Sequence, residues 1–279
     1  MNILLAGGNG EIGSDLANFL SRKHKVIVGT RKSVKKKKNI VFLKIDFSKK
    51  IYIKKKIDLI INCIATHEFS KKNEFDDYFK SNILSIFNII KFAEKKKIKI
   101  INLSTVSIYD LSLNKIVTEE EEHISNNLLA VTKFIGEKLF EYSDLDVINL
   151  RMPGVLTINK RKDRPWLSLI LNIIRTNKEI RVFNLDKKFN AVIDTKEISN
   201  FINYMLSNKF ISGSYNFFAS NPIKLRKILK IFINQTKSHS RIINLGDKRT
   251  SRVKHNKIKR NLKFKIDTVT NIIRRNLDD

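Results

Sequence analysis

Apolar residues fall along the chain in two alternating rhythms. Short continuous runs come at Asn2–Ala6, Lys25–Thr30, Ile40–Ile45, Ile57–Ile64, Ile98–Leu103 and Val147–Arg151. Between several of them the apolar positions switch to helical spacing. This happens from Ile12 to Arg22, at Phe79, Ile83, Ile86, Phe87 and Ile90 within 75–95, and from Asn127 to Tyr142. Near-continuous apolar strands alternating with amphipathic helices predict an α/β fold whose doubly wound parallel sheet is covered on both faces. After Arg151 the pattern predicts helices over Trp166–Arg175, Thr195–Leu206 and Leu225–Asn234, with strands at Arg181–Phe183 and Tyr215–Phe218.

The first strand runs straight into glycines at 7, 8, 10 and 13, and a helix pattern opens at Ile12. Strand, glycine turn, helix is the arrangement that cradles a dinucleotide. Residues without a Cβ let backbone N–H groups approach a pyrophosphate, and the helix N-terminus faces that anion with its positive dipole end. The motif meets its structural condition here, so the sheet is expected to be Rossmann-type. The expected cofactor contacts are Gly7, Gly10, Glu11, Ile12 and Gly13 in the turn, with residues 1–150 as the dinucleotide-binding domain.

The second strand should end beside the adenosine ribose. An acid there accepts the 2′-hydroxyl of NAD, whereas an arginine accommodates the 2′-phosphate of NADP. The strand ends Gly29-Thr30-Arg31-Lys32 without an acid. Arg31 as a fork and Lys32 as a supporting charge favour NADP over NAD.

Composition narrows the rest. With 279 residues, of which 42% are hydrophobic, the chain can bury a large core. No apolar run approaches the roughly 18 residues of a membrane span, and with the first strand opening the sequence no signal peptide is expected. The single cysteine, Cys63, has no internal disulfide partner, and a cytoplasmic location is expected. A formal charge of +28 raises nucleic acid as a partner. The lysines are nevertheless scattered between apolar runs, as at Lys35–Lys38, Lys54–Lys56 and Lys95–Lys97, so the sequence alone argues against a dedicated nucleic-acid site. No metal-ligand spacing is present.

Taken in order, the motifs resemble the extended short-chain dehydrogenase/reductase family of sugar-nucleotide epimerases, dehydratases and reductases. Ala6-Gly-Gly-Asn-Gly-Glu-Ile-Gly13 looks like its glycine signature. Asp46, followed by Phe47, looks like the acid that holds the adenine amino group. Asn62-Cys63-Ile64-Ala65 resembles the small-residue strand end that passes the cofactor, and Asn82 the helix asparagine. Ser104-Thr-Val-Ser-Ile-Tyr109 resembles the segment carrying the catalytic Ser/Thr, at Thr105. Arg151-Met-Pro-Gly154, Phe189-Asn-Ala-Val-Ile-Asp194 and Lys257–Phe264 resemble later family segments. The resemblance implies a smaller C-terminal substrate lobe, mainly residues 151–279, with the chain returning to the first domain around 180–206. It also implies a nucleotide-linked sugar as substrate, with Arg161, Lys162 and Arg164 as candidate diphosphate contacts. A homodimer through 75–95 and 127–142 is expected on the same ground.

The departure falls at the chemistry. The family carries a tyrosine four residues before a lysine. Here the stretch reads Leu129-Ala-Val-Thr-Lys133, followed by Glu137. Leucine has no proton to give, and losing a positioned acid–base group forfeits about 10²–10⁴-fold in rate. Candidate replacements are Tyr109, His67 and, above all, Lys133, which becomes an acid if burial lowers its pKa. Thr105 and Lys133 are thus the expected catalytic residues, with Lys133 also holding the cofactor. Two functions stay open: an NADP-dependent oxidoreductase or epimerase with a displaced acid, and an NADP-binding sensor or assembly protein without turnover. Glu119–Glu122 reads as a solvated approach to the next helix, and Trp166 and Phe183 as packing in the second lobe.

Overall fold

The structure, a computed structural model, describes residues 1–31, 39–66, 74–113, 115–121, 125–158, 165–254 and 257–277. Seven strands form one parallel sheet: β1 (Asn2–Ala6), β2 (Lys25–Thr30), β3 (Ile40–Lys44), β4 (Leu59–Asn62), β5 (Lys99–Thr105), β6 (Val147–Met152) and β7 (Gly213–Asn216). Their order is β7-β6-β5-β4-β1-β2-β3. The winding reverses between β1 and β4. In such sheets the crevice outside the carboxyl ends of those two strands is where dinucleotides bind.

Alternate residues of each strand feed opposite faces. Ile3 and Leu5 join one cluster with Leu16 and Leu20 of α1 (Glu11–Leu20). Leu4 and Ala6 join another with Ile86, Ile89 and Ile90 of α2 (Ser85–Glu94) and with Phe140 of α3 (Leu128–Glu141). The strands are apolar on both sides because both sides are covered. Gly136 lets α3 lie directly on the segment before α2, since a Cβ there would come within 2.8 Å of the Asn82 carbonyl oxygen. That segment, Phe79–Leu84, has π-helical hydrogen bonding.

The sheet is not complete at residue 150. After α4 (Trp166–Arg175), α5 (Thr195–Ser207) packs on α1, and β7 then adds beside β6. The rest of the second half holds α6 (Leu225–Thr236), α7 (Val269–Arg275) and short strands that pair within it, as Gly154–Leu156 with Val192–Asp194, or with the first half, as Arg252–Val253 with Ile116–Val117. The hydrophobic pattern did not predict α7, which has only seven residues. It is fixed by charge as well as packing. Arg275 reaches Asp194 at 2.5 and 2.7 Å and Asp267 at 2.6 Å, and Asp194 also caps α5 through the Glu197 N–H.

One expectation needs correcting. Of the run Glu119–Glu122, the described part, Glu119–Glu121, is not simply a solvated approach, and Glu122 lies outside the described residues. The Glu119 carboxylate is half-buried and accepts from the Asn216 N–H, and Glu121 pairs with Lys115 at 2.7 Å. Burial comes first in raising the pKa of Glu119. Trp166 and Phe183, 43% and 36% exposed, pack at the surface of the second half: Trp166 lies against Phe189, and Phe183 carries the Lys248 ammonium 3.8 Å from its ring centre.

Candidate active site

The glycine turn sits at the carboxyl end of β1, facing the end of β4 across the switch point. Gly7 adopts φ +75°, and a Cβ on it would come within 2.9 Å of Ile64. A Cβ on Gly13 would lie 2.6 Å from the Gly8 Cα and 2.7 Å from the Gly7 oxygen, so backbone packs on backbone. Gly10 is the exposed N-cap of α1 and no side chain caps that helix end. The first-turn N–H groups of a helix lack intrahelical acceptors, so this open end suits an anion. Glu11 and Ile12, half-buried, begin the helix. These residues fit a dinucleotide pyrophosphate.

Cys63, Ile64 and Ala65 continue β4 past its last sheet partner and stay partly exposed on the same crevice. The Cys63 N–H bonds the Ala6 oxygen at 2.9 Å and the Ile64 N–H bonds the Asn62 side chain at 3.2 Å. Burial pushes the Cys63 thiol up to about 12, partly offset by Lys133, so it stays a neutral packing group. At the end of β2, Thr30 is buried and Arg31 is exposed. Asp46 accepts from the N–H and hydroxyl of Ser48, which hold its carboxyl below the ordinary range, with Lys49 and Arg31 adding to the effect. Phe47 is buried, and its ring occupies the space that a Cβ on Gly29 would need. Lys32, His67, Arg161, Lys162 and Arg164 lie outside the described residues.

Thr105 ends β5, half-exposed. Its hydroxyl accepts the Ser107 N–H and donates to the Ser107 hydroxyl, both at 3.1 Å. Lys133 projects from α3 to the same strand, and its ammonium donates to the Leu103 oxygen at 2.8 Å. It is almost fully buried, and burial lowers its pKa to about 8 against the pull of Glu137 and Cys63. Leu129, one turn earlier on α3, is buried too. Asn82, in the π-helical segment, bonds the Thr66 N–H at 3.0 Å and the Thr132 hydroxyl at 3.0 Å, tying the loop after β4 to α3.

Tyr109 is not free to donate to a ligand. It is buried, donates to Asn216 at 2.8 Å and accepts from Arg151 at 2.8 Å. Burial pushes its hydroxyl up to about 12. It belongs to a network that the motif reading left unconnected. Glu137 accepts from Ser104 and takes two bonds from Arg151, at 3.0 and 2.8 Å, while Arg151 also reaches the Glu119 carbonyl oxygen. A second network crosses the sheet: Asn62 to Asn102 at 2.9 Å, Asn102 to Asn149 at 2.8 Å, Asn149 to Ser214 at 3.3 Å. Its signal in the sequence was an asparagine inside each of three otherwise apolar strands, aligned only by the register.

A Rossmann-type sheet with a glycine turn at the switch point defines the class as a dinucleotide-binding fold. The chain belongs to the RmlD substrate binding domain family, whose profile matches residues 1–268. The extended short-chain dehydrogenase/reductase resemblance read from the motifs is thereby borne out. The epimerase family protein YfhF of Bacillus subtilis is 24% identical over 243 residues, covering 82% of this chain and 78% of that protein. The fold is similar to that of UDP-glucuronic acid 4-epimerase from Bacillus cereus, solved with NAD. The TM-score is 0.79 at 17% identity, over 100% of this chain and 96% of that one. It is also similar to UDP-N-acetylglucosamine 4-epimerase from Methanobrevibacter ruminantium, solved with UDP-N-acetylmuramic acid. There the TM-score is 0.80 at 18% identity, over 99% and 97% of the two chains. Among the described residues no helix is long and apolar enough to cross a membrane.

Proposed function

We propose that the protein is an NADP(H)-dependent oxidoreductase or epimerase of nucleotide-linked sugars whose acid–base group is Lys133. The observation that carries this reading is the backbone-on-backbone glycine turn opposite Ile64, beside a buried lysine that reaches β5. A nicotinamide dinucleotide bound there supplies hydride chemistry. Gly7, Gly10, Glu11, Ile12 and Gly13 hold its pyrophosphate, Cys63–Ala65 line its path, and Asp46 and Phe47 hold the adenine end. Arg31 favours the 2′-phosphate by its fork of donors. One of the solved epimerases named above holds NAD, so the preference for NADP in this proposal rests on Arg31 alone. Thr105 bonds a substrate oxygen and Lys133 gives or takes the proton. The sugar-nucleotide substrate is supported by what the two solved epimerases act on.

A second reading, cofactor binding without turnover, draws on the buried Leu129 where the resemblance expects tyrosine. One experiment separates them. NADPH and NADH are titrated by fluorescence, then keto-sugar nucleotides are incubated with NADPH and products weighed by mass spectrometry. The proposal expects NADPH to bind at least tenfold more tightly than NADH and Arg31→Asp to reverse the order. It also expects turnover to fall as pH rises through about 8, because an acid works only while protonated and Lys133 is lowered to about 8. Lys133→Met abolishes turnover and, with it, that limb. Binding without product across the panel supports the second reading, and Leu129→Tyr then tests whether only the acid is missing. No NADPH binding overturns both.

A homodimer belongs to the same proposal. Phe79 and Phe87 on one helical segment and Leu128, Val131 and Ile135 on α3 are exposed apolar residues on elements that pack together. Such a stripe marks an interaction surface. Sedimentation is expected to give a dimer for the protein and a monomer for Ile135→Lys.

A further inference from the structure

Two of the lysine runs that look scattered in the sequence, Lys54–Lys56 and Lys95–Lys97, lie along one edge of the molecule; Lys35–Lys38 fall outside the described residues. In a parallel sheet every loop that precedes a strand reaches the amino-terminal edge. Arg22, Lys23 and Lys25 precede or begin β2, Lys54–Lys56 precede β4, and Lys95–Lys97 with Lys99 precede or begin β5. All of them are exposed. The register sets these loops side by side, Lys25 opposite Asn2 and Lys99 opposite Leu59. Two neighbouring loops are tied directly, because the Lys96 ammonium donates to the Ile53 oxygen at 3.0 Å. Strand spacing makes the ridge about 14 Å wide from β5 to β2. Along it an open groove of about 520 Å³ is lined by Arg22, Lys23, Lys25 and Lys56. The acids near it are few. Asp58 accepts the Asn2 N–H at 2.7 Å and lies 3.7 Å from Lys56, Glu94 is exposed, and Asp144 and Asp146 before β6 end the basic stretch.

We infer that this edge binds the phosphate backbone of nucleic acid, without reading its sequence, on the side of the sheet opposite the cofactor crevice. A polymer with a charge every few ångströms matches a ridge of separate cations built on several loops, and releases counterions as they engage. An anionic bilayer also attracts a basic surface, so vesicles form the competing arm of the test. Exposed apolar side chains at this edge include Met1 and Tyr52, while Phe79, Phe87, Leu128, Val131 and Ile135 lie on the helical elements away from it. The inference does not depend on the enzymatic reading, since the two sites lie at opposite ends of the strands.

The test is fluorescence anisotropy of a labelled 24-base-pair duplex of arbitrary sequence, titrated with the full chain from 50 to 300 mM KCl. The protein is expected to bind with micromolar affinity and a steep salt dependence. Combining Lys23→Glu, Lys25→Glu and Lys56→Glu should weaken binding at least 30-fold at 100 mM KCl and reduce the salt slope by about 3. A comparison triple, Lys227→Glu, Lys230→Glu and Lys237→Glu on and after α6, removes the same charge elsewhere and should keep most of the affinity. Thermal melts of both triples report folding independently of any ligand. Equal losses in the two triples would mean diffuse net charge and overturn the inference. So would binding to vesicles of 30% phosphatidylserine without binding to the duplex.

Discussion

Gly13→Ala is expected to lower NADPH affinity by at least 100-fold and to destabilise the fold as well. Its Cβ would stand 2.6 Å from the Gly8 Cα and 2.7 Å from the Gly7 oxygen, and neither is the flexible end of a side chain that can swing aside. The turn itself must open, which moves the N–H groups at the start of α1 away from the anion they face. Gly10→Ala provides the contrast. A Cβ there meets only the Gly7 oxygen at 3.4 Å, an ordinary contact, so the melting temperature should stay within a degree or two. Affinity should still fall at least tenfold, because that position is where backbone approaches pyrophosphate. The measurements are NADPH fluorescence titration and a thermal melt of each variant. Unchanged affinity in Gly10→Ala would place the pyrophosphate elsewhere.

Removing either half of the Glu137–Arg151 pair is the second large effect. Glu137 is fully buried and Arg151 nearly so, joined by bonds at 2.8 and 3.0 Å. Burial alone would lower the arginine's pKa, but Glu137 and Tyr109 outweigh it and push it up. Breaking such a pair strands a buried charge and costs about 3–5 kcal/mol. Glu137→Leu and Arg151→Met should each lower the melting temperature by about 10 °C in a chain of this size. The double variant should be more stable than either single one, since no lone charge is left. A double variant as unstable as the sum would mean that the two residues stabilise the fold independently. Ser104 also donates to Glu137, so Glu137→Leu should disturb the neighbouring Thr105 segment too.

Much of the sheet was legible from hydrophobic pattern, because strands buried on both faces need apolar residues at every position. Six strands and the helices between them fall within a residue or two of the expected places. The glycine turn was legible for a related reason: a Cβ at Gly7 or Gly13 would press on neighbouring backbone. What pattern does not carry is pairing between distant segments. β7 closes the sheet from residue 213 onward because its partner β6 leaves an edge to be covered, and α7 is held by Arg275 reaching acids some 80 positions away.

Local chemistry along the chain therefore determined the fold class, the glycine turn, the absence of a tyrosine four residues before Lys133, and Arg31 at the end of β2. Tertiary structure alone decided what those residues experience. It buried Lys133 and lowered its pKa to about 8. It took Tyr109 into a closed hydrogen-bond network, and it aligned Asn62, Asn102 and Asn149 across three strands. It also gathered lysines from three loops onto one edge, because every strand of a parallel sheet starts from the same side. A residue's identity is written locally, but desolvation, hydrogen-bond partners and electrostatic neighbours depend on which distant segments fold against it.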